Sequence, residues 1–212
     1  MNKLLFTLMV VGMYQILPLL GHPALLLHWK MGCIILTAFT IWFSQPTLKI
    51  QDAQKHHPTD RSTVWLILLM AGVSTVIPEI EWAYVKVDQE GTALWNTIGI
   101  SLITIGVALR IWSIATLGQF FTDTVQTKSD HSLITTGPYQ HLRHPSYTGA
   151  YLVVIGCAVF LQAWIGFFIA LLSMGYAYVR RIETEEHTLL AHFGEQYQSY
   201  KQNTWRLIPW VW

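Results

Sequence analysis

Charge is the scarcest commodity in this chain: Asp, Glu, Lys and Arg make up 12% of 212 residues and apolar residues 52%, where a soluble domain carries about 25% charged residues. A water-exposed globule is excluded, and the composition predicts a protein dissolved in a bilayer. Cysteine is almost absent. Cys33 and Cys157 both sit inside apolar runs with no CxxC spacing, which removes a disulfide framework and a zinc knuckle. None of the fourteen glycines forms a GxG triplet, so a Rossmann-type nucleotide loop is missing. Thirteen basic residues balance twelve acidic ones for a net charge of +1, without the dense Lys/Arg cluster that a nucleic-acid partner needs. Nine histidines include His141/His144 and His187/His192, but neither spacing makes HExxH or a zinc set, and no metal is expected. With no internal repeat, low-complexity tract or break in composition, the chain reads as one domain over 1–212.

What the sequence has in abundance is long apolar stretches: Leu4–Leu20, Leu27–Phe43, Val64–Val85, Ala93–Leu117 and Thr148–Val179. Each is close to or above the ~20 residues a helix needs to cross hydrocarbon. The first follows Met1-Asn2-Lys3 and is long for a secretory signal, so it reads as a retained span. The last covers 32 residues and carries Gln162 near its middle, which predicts a hairpin of two helices. The expectation is an all-α integral membrane protein with five to six transmembrane helices. Gly21-His22-Pro23 marks a turn and Ser44–Thr63 an aqueous loop.

With the N-terminus in the cytoplasm, ten basic residues fall on that side: Lys3, Lys49, Lys55, Arg61, Lys128, Arg143, Arg180, Arg181, Lys201 and Arg206. Only Lys30 and Lys86 face the other side, while Arg110 lies within an apolar run and is expected to snorkel to the surface. This topology gathers two polar segments, Gly118–Arg143 and Arg180–Trp212, on one face, so residues 1–117 are expected to anchor and 118–212 to carry chemistry. The first segment has turn signals at Gly137-Pro138 and His144-Pro145, which fix His144 and Tyr147 at a loop-to-helix junction. Aromatic, imidazole and backbone groups there suit an adenine and ribose; an interfacial loop with a Tyr anchor is the plainer alternative. In the second segment Arg181 and Glu185 share a helix face. The guanidinium can grip a carboxylate through two hydrogen bonds and the carboxylate can offset a sulfonium, or the two can form an ordinary surface pair.

Gly137-Pro-Tyr139, Arg143-His144-Pro145-Ser-Tyr147-Thr-Gly149, Arg181-x-x-x-Glu185-Glu186, Phe193-Gly194-x-x-Tyr197-x-x-Tyr200 and Arg206-Leu-Ile-Pro209 occur in this order. Together, over roughly Gly118 to the last residue, they resemble the isoprenylcysteine carboxyl methyltransferase family. The resemblance implies an S-adenosylmethionine donor contacted by Gln126, His131, Ser132, Leu133, Ile134, Tyr139, His144, Pro145, Ser146, Tyr147 and Glu185. It also implies that Arg181 binds the substrate, and that Arg181 and Glu185 form the catalytic pair. The loop from Gln126 to His131 is shorter than in the longer eukaryotic relatives, and the chain has fewer N-terminal spans, as in short prokaryotic forms.

The expected activity is methyl transfer to the carboxylate of a prenylated cysteine or a similar lipid-like acid, with lipid as the only other partner and the site facing the cytoplasm. The membrane would be the cell inner membrane of a prokaryote or the endoplasmic reticulum of a eukaryote. The sequence carries no signal of oligomeric state. Such a carboxylate is ionised near neutrality and needs alignment rather than a base. Two rivals stand. A phospholipid amine or small-thiol methyltransferase would differ in its acceptor, and an amine would require a base such as His144 or Glu186. A transporter or assembly factor would line a polar path with Glu79, Glu81 and Arg110. Glu79 and Glu81, close after Pro78 at the end of the third stretch, are expected to face water.

Overall fold

The computed structural model describes residues 2–45, 58–121 and 133–211. Among them the regular structure is helical, with one isolated parallel bridge between Leu142 and Trp205. Helix α1 (Lys3–Val11) starts at Asn2, whose side chain accepts from the Leu4 N–H. It passes through a π turn, Gly12–Ile16, into a 3-10 turn, Leu17–Leu19. Pro18, with no N–H to give, lies in the tight winding that follows the wide turn. Then come α2 (Trp29–Ser44), α3 (Pro58–Ile80, continued by a π turn over Glu81–Val85), α4 (Ala93–Leu117), α5 (Pro145–Leu161), α6 (Trp164–Phe193) and α7 (Glu195–Gln202).

Ser62–Val85, Ala93–Leu117 and Trp164–Phe193 are long and apolar enough to cross a membrane, and Lys3–Leu19, Trp29–Ser44 and Pro145–Leu161 are shorter apolar helices. The expected all-α membrane architecture is present. Its third helix starts earlier than the apolar run, at Pro58, a residue whose fixed φ suits a first turn. The last residues of the expected 44–63 loop are therefore helical.

The long apolar stretch is broken where its one central polar residue stands. Gln162 takes a left-handed conformation (φ 55°, ψ 34°) that ends α5. Its amide nitrogen donates to Asn96 Oδ1 (3.2 Å) and its amide oxygen accepts from Thr92 N (3.3 Å), fastening the hairpin to the start of α4. The second arm is capped by Glu81, whose carboxylate accepts from Ile165 N (3.2 Å) and Gly166 N (2.6 Å).

Two expectations fail here. Glu79, expected to face water, is 2% exposed, because α3 turns it inward while Glu81 reaches the hairpin. Arg110, expected to snorkel, is 3% exposed and donates to the Ser146 carbonyl (3.1 Å) and hydroxyl (2.9 Å). With those acceptors in reach inside the bundle, the guanidinium has no need of the membrane surface.

Helices approach closely where side chains vanish. A Cβ on Gly106 of α4 would lie 2.6 Å from the Gly149 carbonyl of α5, and a Cβ on Gly166 of α6 2.6 Å from Pro78 Cα of α3. One core, with Leu19, Met31, Trp82, Phe160 and Leu161, fills the end of the bundle near Gln162. A second, with Ala150, Met174, Tyr178, Ile182 and Leu207, lies beneath the polar segments. The outer surface is apolar, with Leu5, Leu36, Leu69, Ile105 and Leu172 exposed. Exposed Trp29, Trp95 and Trp164 open α2, α4 and α6 at one end of the bundle, as interfacial anchors do.

Candidate functional site

The polar loop entering α5 is held by chain that follows α7. Arg143 N donates to Trp205 O (2.8 Å), His144 N to Arg206 O (3.1 Å) and Trp205 N to His141 O (3.0 Å). Thr148 donates through its hydroxyl to Leu207 O (2.8 Å) and Tyr200 to Tyr139 O (2.7 Å). Gly137 starts the turn with φ +59°, a conformation that favours glycine, and a Cβ there would press on Thr116. Burial pushes the phenols of Tyr139, Tyr197 and Tyr200 above their ordinary value, and the Glu185 carboxylate adds to the effect at Tyr139.

Glu186 is the electrostatic hub of this clamp. Its carboxylate accepts from Arg143 Nε (2.7 Å) and Arg206 Nε (3.1 Å), with Lys201 Nζ at 3.4 Å and His144 Nε2 at 3.5 Å. Arg143 also donates to the backbone carbonyls of Lys201 and Thr204. Three cations from three separate segments thus converge on one carboxylate that is 3% exposed.

One residue earlier on the same helix, and so turned about 100° around it, Glu185 serves a different arrangement. The Tyr147 hydroxyl donates to Glu185 Oε2 (2.9 Å) and accepts from Arg181 Nε (3.3 Å), so a phenol bridges the two. Arg181 Nη1 donates in addition to the Thr63 hydroxyl of α3 (2.9 Å). The ring of Tyr147 lies against His144 (centroids 5.8 Å apart, 24°) and Tyr178 (5.1 Å). Arg181 is 3% exposed, so the surface-pair alternative for Arg181 and Glu185 is replaced by a triad built on a buried arginine.

Two cavities meet at this triad. The smaller, about 110 Å³, is bordered by Leu133, Ile134, Tyr139, His144, Glu185 and Tyr197. The larger, about 190 Å³, runs between α1, α2, α3, α5 and α6 past apolar residues such as Ile34, Leu68, Val154 and Met174. Phe121, Ser146, Tyr147 and Arg181 border both. The Tyr197 hydroxyl, buried beside the smaller cavity, has no hydrogen-bond partner.

Of the residues expected to form the site, Leu133, Ile134, Tyr139, His144, Ser146, Tyr147, Arg181 and Glu185 are brought around the smaller cavity. Pro145 supplies the first turn of α5 rather than a wall. Gln126, His131 and Ser132 lie outside the described residues. Phe120, Phe121, Leu189 and Phe193 border the cavity without having been singled out for it. Nothing in their apolar character separates them from lipid-facing neighbours. Tyr197 and Tyr200, three apart on α7, offered the one readable signal. Among the described residues no group of three or more His, Cys, Asp or Glu is placed to hold a metal ion.

A sequence model of the isoprenylcysteine carboxyl methyltransferase (ICMT) family matches residues 98–191. The protein-S-isoprenylcysteine O-methyltransferase of Dictyostelium discoideum is 33% identical over 138 residues, 62% of this chain and 56% of that protein. The protein of the same name from Tribolium castaneum is 36% identical over 118 residues, 55% of this chain and 42% of that protein. The chain therefore spans about half the length of these curated relatives. A solved structure of the eukaryotic intramembrane Ras methyltransferase ICMT superposes with a TM-score of 0.67 at 28% identity, covering 97% of this chain and 74% of that one. The segment matched by the family model, residues 98–191, includes α5, most of α6 and the triad they carry, and over it the chain is similar to the isoprenylcysteine carboxyl methyltransferase family.

Proposed function

We propose that this protein methylates the carboxylate of a prenylated cysteine, or of a similar lipid-like acid, with S-adenosylmethionine as donor. The observation that carries the reading is the shared wall: a cavity of mixed polar and aromatic lining and a long apolar one meet at Tyr147 and Arg181. A water-soluble donor and a lipid acceptor need such a junction. The donor fits the smaller cavity, whose aromatic walls suit an adenine, whose Glu185 suits a positive charge and whose unpartnered Tyr197 hydroxyl suits a polar ligand. Bound there, S-adenosylmethionine would supply an electrophilic methyl carbon, to which a carboxylate oxygen bonds in line as the C–S bond breaks and its electron pair leaves with the neutral thioether sulfur.

The chain's own residues align and dry the reactants. Arg181 orients the acceptor carboxylate, Glu185 steadies the donor, and Tyr147 fixes the two relative to each other. Alignment of this kind contributes on the order of 7–11 kcal/mol in favourable intramolecular cases. Residues 1–117 give much of the lipid-contacting wall and 118–212 most of the donor pocket. The excess of basic residues supports a cytoplasmic site, where soluble donor is available.

The amine-acceptor rival needs a base, and Glu186 is a poor one: it is engaged by Arg143, Arg206 and Lys201 and borders neither cavity. In the transporter reading the polar path is interrupted, because Glu81 caps α6. The test is methyl transfer from labelled donor by the purified protein in lipid, comparing N-acetyl-farnesylcysteine with its carboxyl amide. Labelling of the free acid alone, as a base-labile ester, is expected; equal labelling of the amide, or of neither, refutes the carboxyl reading.

A further inference from the structure

The apolar cavity does not stay apolar along its whole length. At the end remote from Arg181 it is bordered by Glu79, Gln15 and Cys157. Glu79 and Gln15 are each 2% exposed, and Glu79 Oε2 and Gln15 Oε1 have no hydrogen-bond partner. Buried acceptors left unpaired cost free energy, and an acidic side chain within a membrane helix needs a partner or a function. Neither residue takes part in the arrangement around Tyr147.

The two stand along the same part of α3. Tyr14 lies against Gly72, where an added Cβ would come within 3.2 Å of its ring, and the Pro18 carbonyl accepts from Tyr84 (3.0 Å). The intervening Gln15 therefore stands beside the 72–84 stretch of α3, which contains Glu79. Glu79 is sixteen residues beyond Thr63, the hydroxyl that accepts from Arg181. At 1.5 Å rise per residue the two ends of the cavity are about 24 Å apart.

We infer that this end is a second polar subsite, in which Glu79 accepts the hydrogen bond of a hydroxyl on the far end of the acceptor's tail and Gln15 borders the same cavity as a further acceptor. The inference rests on the reading that the apolar cavity holds that tail. It makes the preferred acceptor a lipid with two polar ends, its carboxylate at Arg181 and its hydroxyl at Glu79. A purely hydrocarbon tail leaves both oxygens unpaired, so the subsite discriminates by chemistry as well as by length.

The test compares N-acetyl-S-hexadecylcysteine with its ω-hydroxy counterpart, as competitors of cis-parinaric acid bound to the detergent-solubilised protein and as methyl acceptors. The hydroxyl compound is expected to bind about tenfold more tightly, as for one well-made hydrogen bond to a buried carboxyl group. Glu79→Leu is expected to bring the ratio to about one, and Gln15→Leu to lower it in the same direction. The ratio compares two ligands on one protein, so a general loss of folded material does not shift it. Equal binding by the wild type, or a ratio untouched by Glu79→Leu, overturns the subsite. If the hydrocarbon compound displaces cis-parinaric acid and is methylated while the hydroxyl adds nothing, the subsite alone falls. If neither compound displaces it, the tail cavity falls with the subsite.

Discussion

Replacing Tyr147 by Phe removes one oxygen and leaves the ring packed on His144 and Tyr178. That oxygen donates to Glu185 at 2.9 Å and accepts from Arg181 at 3.3 Å, so both groups lose their common partner. A hydrogen bond to a charged group contributes about 1.5–3 kcal/mol, although water offsets part of the loss wherever it can reach the bereaved group. The Glu185 side chain is 27% exposed and can be rehydrated, whereas Arg181 is 3% exposed and keeps its bond to Thr63. The expected cost in folding is therefore under about 1 kcal/mol. The cost in catalysis is larger, because Tyr147 sets the relative position of the two groups proposed to hold the reactants. A loss of about 2 kcal/mol in transition-state stabilisation corresponds to roughly thirtyfold in kcat/KM. Initial rates of ester formation, with circular dichroism melts on the same preparation, measure both quantities. A variant within twofold of wild-type kcat/KM refutes the bridge as a positioning device. A large drop in melting temperature with unchanged rate per folded molecule makes it a structural bolt instead.

Glu186→Gln keeps shape and removes the charge that three cations face. Breaking a fully buried pair costs about 3–5 kcal/mol, and partial exposure of Lys201 and Arg206 reduces this to about 2–3 kcal/mol. The expected result is a lower melting temperature and faster proteolysis beyond Gly194; unchanged resistance contradicts the hub. The raised phenols of Tyr139, Tyr197 and Tyr200 set the pH response on the alkaline side. A folded-state value above the unfolded one, about 10 for Tyr, means the folded protein keeps protons that the unfolded chain has released. That stability is fully present below about pH 10 and is lost as pH rises toward the folded values. Melting temperatures recorded from pH 8 to 11 should hold level and then fall, and a decline already evident between pH 8 and 9 contradicts this assignment.

Much of this fold was legible because hydropathy reports length directly. The apolar stretches became helices, and Gln162, the one central polar residue in the longest, became its turn. What hydropathy does not report is which way a helix faces. On α4 and α5 apolar residues are spread around the whole helix, so no amphipathic phase tells protein from lipid. The burial of Arg110 against Ser146 was hidden for that reason, and the inward turn of Glu79 similarly depends on its rotation about α3. In the site, Tyr139, His144, Tyr147 and Glu185 were readable through their motif. The bridge through the Tyr147 hydroxyl was not, since it joins residues 38 positions apart. Glu186 was quoted as part of a motif, but its role became visible only once Arg143, Lys201 and Arg206 came together in space.

The pinning of the loop before α5 by the stretch around Trp205–Leu207 has a bearing on biogenesis. The hairpin can enter the bilayer as soon as its two arms have been synthesised, because its own hydrophobicity drives that step. The backbone amides of Arg143 and His144 still await the carbonyls of Trp205 and Arg206, and Glu186 still awaits two of its cations. A nascent chain is thus membrane-inserted before the smaller cavity can close, and the donor binding proposed for it arises only when the segment after α7 has left the ribosome and folded back.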